Sequence, residues 1–108
     1  MMNRGDIYWV DLNPTVGSEI NKLRLCVLVG ATPINQARRT VVVVPLSSSA
    51  TARLPLVVPL YCTGKPVVAI CDQIRAVDKS RVKNQAGSLS AKELALLDEN
   101  LRQILGLS

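Results

Sequence analysis

Two stretches of this chain, RLCVLVG at residues 24–30 and TVVVVPLSS at residues 40–48, restrict its fold more than any others. Both are built mainly from β-branched and aliphatic residues, and neither alternates between apolar and polar positions. A strand with that pattern has to be covered on both faces, so both stretches are predicted to be central strands. The segment between them, ATPINQARR (31–39), contains Pro33 and reads as a plain connection. GDIYWVDLNP predicts a strand over about residues 5–12, halted by Asn13-Pro14. LVVPLY (56–61) predicts another, and Pro59 inside it, lacking an N–H, fits an edge position. PVVAICDQIRAV (66–77) predicts a fifth, reached through the hairpin-like turn CTGK (62–65). Strands that follow one another this closely, with no helix between them, favour an antiparallel sheet or small barrel over βαβ units.

The only strong helix signal lies at the end of the chain. Ser90 and Glu93 have the S-x-x-E spacing of a capping box, flanked by Leu89 and Leu94 at the positions of a hydrophobic staple. Leu94, Leu97, Leu101, Ile104 and Leu105 then recur at helical spacing, and Gly106 is placed to end the helix. Residues 78–87, DKSRVKNQAG, read as a short helical turn and loop. The expectation is a mainly β (α+β) body with one amphipathic C-terminal helix packed on it, in one domain spanning residues 1–108.

Composition narrows the chemistry. Histidine is absent, which removes histidine-based zinc sites, Ser-His-Asp triads and paired-histidine ribonuclease chemistry together. Cys26, Cys62 and Cys71 are odd in number and far apart, with no CxxC, and read as reduced, buried, small apolar residues of a cytoplasmic protein. No metal-ligand cluster, phosphate-binding glycine loop or nucleophile elbow is present, so no cofactor is expected. The N-terminus carries Arg4 and Asp6 without an apolar leader, and no apolar stretch reaches the roughly 18 residues of a membrane span, so no membrane partner is expected. A net charge of +5 and a pI near 9.5 favour an anionic partner, nucleic acid above all.

Four features could carry chemistry. One is the turn and strand start containing Gly17, Ser18, Glu19, Lys22 and Arg24. Arg24 sits between two leucines at the mouth of an apolar strand, where an always-charged group needs a partner or a purpose. The others are the serine run Ser47-Ser48-Ser49, the polar pair Asp72-Gln73, and the cations Lys22, Arg38, Arg39, Arg53, Lys79, Arg81 and Lys83. Each has a plainer reading: a solvated strand end, a turn whose hydroxyls bond local backbone, an Asp72 paired with Arg75, a charged surface.

The wording of the segments goes further than their composition. RGDIYWVDLNPTVGSEINKLR (4–24), VVVVPLSS (41–48), VVAICDQIRAVDKSRV (67–82) and GSLSAKELALLDENLRQILGL (87–107) resemble, in the same order, the MazF/PemK (Kid-like) toxin family. The resemblance implies an SH3-like half-barrel of antiparallel strands with peripheral helices, working as a homodimer. It implies a metal-independent endoribonuclease that cuts single-stranded mRNA, with a cognate antitoxin as second partner. Arg24 matches the family's catalytic arginine, and Ser47 falls where most members have a threonine. Asp72 matches a residue implicated in catalysis or base recognition, while Ser18, Glu19, Lys22, Ser48 and Gln73 are implied to contact RNA or support the site. Leu25 follows Arg24 where most members have proline, and Ile70 stands where the Kid-like branch has a functional arginine. The resemblance leaves two alternatives: a gyrase poison of the related CcdB fold, and a catalytically weakened member that still binds RNA or antitoxin. The C-terminal LGLS lacks the aromatic tail expected of the gyrase poison.

Overall fold

A computed structural model of the chain describes residues 2–13, 22–48, 57–62 and 64–107. Among these residues seven strands form one curled sheet: β1 (Asp6–Asp11), β2 (Leu23–Leu28), β3 (Thr40–Ser47), β4 (Val57–Cys62), β5 (Lys65–Ile70), β6 (Arg75–Asp78) and β7 (Val82–Ser88). Two α-helices accompany them, α1 (Thr32–Ala37) and α2 (Ala91–Leu105). The strand order is β4-β5-β3-β2-β1-β7, with β6 paired to β3, and every pairing is antiparallel. This is the half-barrel with peripheral helices that the family resemblance implies.

The two doubly apolar strands, β2 and β3, lie in the middle of the order, and Pro59 lies on β4 at its edge. Alternation divides the core between the two faces of the sheet. Ile7, Val27, Val44, Leu46 and Ala69 point to the side covered by α2, where Leu97 and Leu101 meet them. Tyr8, Val10, Cys26, Leu28 and Val43 point to the other side, where the curl brings Val77 of β6 and Val82 of β7 over them.

Three expectations need correction. The connection over 31–39 contains α1, and Pro33 at its first turn, where no N–H is needed, is what suits it to start a helix. The single strand expected over 66–77 is broken by a 3₁₀ turn at Cys71–Gln73. Ala69 pairs with Leu46 and Arg75 with Val43, so five residues (70–74) face two (44–45), and the surplus of three is the turn. The loop expected over 78–87 is a 3₁₀ turn (Lys79–Arg81) followed by β7. β7 is polar because it is an edge strand, and its register shifts against β1 weaken the period-2 pattern further.

The C-terminal helix matches its sequence signals. Ser90 Oγ accepts from the Glu93 N–H at 3.1 Å, Glu93 Oε1 accepts from the Ser90 N–H at 3.2 Å, and Gly106 ends the helix in the left-handed region at φ 70°. Arg4 locks α2 to the sheet. Its Nη1 and Nη2 donate to Asp98 at 3.0 and 2.6 Å, its Nε donates to the Val29 carbonyl at 2.8 Å, and its backbone N–H donates to Thr32 Oγ1 at 2.8 Å. Both side chains are only about 30% exposed. Asp98→Ala is therefore expected to cost about 1–3 kcal/mol, read as a lower urea midpoint, because it strands a bidentate guanidinium.

Cys26 and Cys71 are free and buried, one on each side of the sheet; the Cys62 side chain lies outside the described residues. Burial pushes the Cys26 thiol up to about 12, against a smaller pull downward from Arg75, and burial with help from Asp72 pushes Cys71 up to about 11. Both folded values lie above the unfolded one near 9. Their contribution to stability is thus whole below pH 9 and is lost as pH rises through the folded values. Denaturant midpoints of reduced protein should fall from pH 9 upward, and fall less in Cys26→Ala.

Candidate functional site

β3 belongs to two pairings, and this creates the site. Its residues Val43–Pro45 pair with β2, while Leu46 and Ser47 pair with β5. The β2 ladder stops at Cys26 opposite Pro45, which has no N–H to give. Beyond that point the ends of β2 and β3 flank a hollow of about 120 Å³. Arg24 and Ser48 are its polar lining; Trp9, Leu23, Leu25, Leu46 and Val67 are its apolar lining.

Arg24 lies two residues before Cys26 on β2 and Ser47 two residues after Pro45 on β3, on either side of the point where their ladder ends. The period-2 alternation sends both to the same face, since Leu25 and Leu46 pack on the α2 side. Arg24 is half-buried, as is Ser47, whereas Ser48 is exposed. Arg24 is anchored from the other side as well, where it pairs with Val10 of β1, itself opposite Val82 of β7.

The start of β2 is held firmly. Lys22 adopts φ 69°, a conformation that costs a non-glycine residue about 1–2 kcal/mol. Two hydrogen bonds hold it there: its N–H donates to Asn13 Oδ1 at 3.0 Å, and its carbonyl accepts from the Leu12 N–H at 3.0 Å. A strained residue two positions before Arg24, pinned to the end of β1, fixes where that guanidinium leaves the sheet.

The same end of the sheet collects positive charge. Arg81, just before Val82, donates from Nη1 to the Asp11 carbonyl at 3.4 Å. Arg75 opens β6 opposite Val43, and its field at the Cys26 thiol places it near the Arg24 strand. The sequence offers Arg75 only as an ion-pair partner for Asp72, yet neither ion pair between described residues involves either of them. The signal that could have found Arg75 is its two-residue spacing from Val77, which puts both on the face of Cys26.

Of the other expected site residues, Asp72 and Gln73 lie on the 3₁₀ turn beside β3 rather than on a strand, Asp72 exposed and Gln73 half-buried. They do not line the hollow between β2 and β3. Ser18 and Glu19 lie outside the described residues. Among the described residues, no three His, Cys, Asp or Glu side chains converge to hold a metal ion. Among the described residues no helix is long and apolar enough to cross a membrane.

Comparison with known proteins identifies the family. The chain is 38% identical over 116 residues to the endoribonuclease MazF9 of Mycobacterium tuberculosis, covering 99% of this chain and 98% of that one. It is 33% identical over 112 residues to the endoribonuclease MazF of Staphylococcus saprophyticus, covering 99% and 93%. Among solved structures, MazF of Deinococcus radiodurans superposes with a TM-score of 0.86 at 25% identity, covering 97% of this chain and 96% of that one. A MazE–MazF structure from the same organism gives 0.79 at 26% identity, covering 98% and 96%. The family described as PemK-like, MazF-like toxin of type II toxin–antitoxin system matches residues 3–105, and the chain belongs to that family.

Proposed function

We propose that this protein is the toxin of a type II toxin–antitoxin pair, an endoribonuclease that cuts single-stranded mRNA without a metal ion. The observation that carries this reading is the placement of Arg24 with Ser47 on one face, at the cationic end of the sheet, in a chain 38% identical to an endoribonuclease. In the reaction the ribose 2′-oxygen attacks the adjacent phosphorus as its proton departs, and the bond to the 5′-oxygen breaks as that oxygen takes up a proton. The products are a 2′,3′-cyclic phosphate and a 5′-hydroxyl. Negative charge builds on the non-bridging oxygens, and a fixed guanidinium aimed there stabilises it. With a pKa above about 12, Arg24 serves as an electrostatic group rather than a proton carrier. Ser47 orients the phosphate or the 2′-hydroxyl, and Ser48, Lys22, Asp72 and Gln73, with Ser18 and Glu19, support or contact the RNA.

The protein acts as a homodimer, and a cognate antitoxin with an acidic segment neutralises it by covering the same cationic surface. The MazE–MazF structure of the Deinococcus relative supports the antitoxin partner. The test is to incubate purified protein with single-stranded RNA in excess EDTA and map the ends. Cleavage that leaves 5′-hydroxyl ends is expected. RNA that stays intact at high protein concentration would overturn the reading.

A further inference from the structure

Positive charge also gathers where the end of α1 meets the 3₁₀ turn between β6 and β7. Five of the chain's thirteen basic residues, Arg38, Arg39, Lys79, Arg81 and Lys83, fall in the two segments 38–39 and 78–83, where Asp78 is the one carboxylate. Thr40 pairs with Asp78, and the Lys79 N–H donates to the Arg39 carbonyl at 2.8 Å, so the two segments lie side by side. Arg38, Arg39 and Lys83 are exposed, while Lys79 and Arg81 are half-buried. Lys79 Nζ donates to the Gln36 carbonyl at 3.2 Å, Arg81 Nη1 to the Asp11 carbonyl at 3.4 Å, and Lys83 Nζ to the Ser80 carbonyl at 3.1 Å. All three acceptors are neutral, so these cations are held in place while their charge is left uncompensated. Asp78 does not offset them: its Oδ1 accepts the Ser80 N–H at 2.8 Å. Hydrogen bonds from Ser80 first, then the fields of Arg39 and Arg81, hold its carboxyl below the usual range. Neither ion pair between described residues involves any of these side chains.

We propose that this ridge is a phosphate track for single-stranded RNA, holding nucleotides that flank the cleaved position. The proposal rests on the ribonuclease reading and extends it from the scissile phosphate to the strand on which that phosphate lies. Arg81 joins the track to the site. Its neighbour Val82 pairs with Val10, which pairs in turn with Arg24, so two strand spacings, about 10 Å, separate Val82 from Arg24. From Arg81 the 3₁₀ turn leads back to Lys79 and Arg39. The cations are spread over the end of α1, the turn and β7, which suits a run of phosphates better than one small anion. Contacts of this kind set how strongly and over what length RNA is held, and carry no base preference.

The test uses the full chain and RNA methylated at every 2′-oxygen, which has no attacking hydroxyl and cannot be cut. Single strands of about five and about twenty nucleotides are titrated at several salt concentrations. Wild type is expected to bind the long strand roughly tenfold more tightly, with the steeper salt dependence. In Arg39→Gln/Lys83→Gln most of that advantage should vanish, and the log–log salt slope should fall by about 0.7 for each contact removed. Arg39→Lys/Lys83→Arg should keep both, and all three proteins should cut a short RNA with the same kcat. A folded glutamine variant with an unchanged slope on the long strand, or equal affinity of wild type for both lengths, would overturn the track; RNA cleavage would then leave the ribonuclease reading standing. Antitoxin affinity lost in the glutamine variant while RNA binding is unchanged would assign the ridge to a protein partner and overturn it as well. Length-dependent binding that the glutamine variant loses, in a protein that cuts no RNA, would keep the track and remove the ribonuclease reading.

Discussion

Arg24→Ala is expected to lower the RNA-cleavage rate by about 10²–10³-fold or more, the loss typical of removing one donor aimed at developing transition-state charge. The side chain is half-buried at a strand end, so the loss of rate is read against the stability of the same variant. Arg24→Lys should recover little. An ammonium keeps the charge but not the planar fork that meets two phosphate oxygens at once. Single-turnover cleavage of a labelled RNA, with urea denaturation as the control for folding, checks both. An Arg24→Ala variant that folds and cuts within a fewfold of wild type would remove Arg24 from the chemistry. Leu25 and Ser47 bear on the same step. Ser47→Thr, by restricting χ1 beside the guanidinium, is expected to raise turnover.

The largest effect on stability is expected from Leu97→Ala. Leu97 is fully buried where α2 meets the sheet, among Ile7, Val27, Val44 and Leu101. Removing its branched end leaves a cavity that the surrounding strands cannot fill, at a cost of about 2–5 kcal/mol. Against a total of about 5–15 kcal/mol for a domain of this kind, that is enough to unfold a substantial fraction at growth temperature. Leu96, one position earlier on the same helix, is 42% exposed, and Leu96→Ala should stay within about 0.5 kcal/mol of wild type. Paired urea titrations of the two variants separate burial from helix propensity, which the two substitutions share.

How far the sequence reaches can be judged from particular elements. β2 and β3 were legible because a doubly apolar run leaves a strand nowhere to sit but the middle of a sheet. α2 was legible because cap, staple, period and stop all agree within eighteen residues, from Leu89 to Gly106. β7 was not, because an edge strand with bulges needs no apolar face and therefore shows no pattern. The 3₁₀ turn at Cys71–Gln73 was hidden for a different reason. It arises from a mismatch between the two strands that share β3, a property of the pairing and not of the local residues. Arg24 illustrates the same divide within the site. Charge in an apolar context drew attention to it, but chemistry came only from the family resemblance. The strained Lys22 backbone and the nearness of Arg75 became visible only once the chain was folded.

The place of β1 has a bearing on how the protein is made. β1 is the first strand to be synthesised, yet one of its two neighbours is β7, the last strand of the chain. Arg4, just ahead of β1, is bonded to Asp98 on the final helix. While the chain is still emerging from a ribosome, β1 has one open flank and Arg4 no carboxylate, so the body that carries Arg24 stays unfinished until β7 and α2 are in place. The pairing of β1 with β7 thus defers closure of this side of the sheet until the later segments of the fold are available, a delay set by strand order.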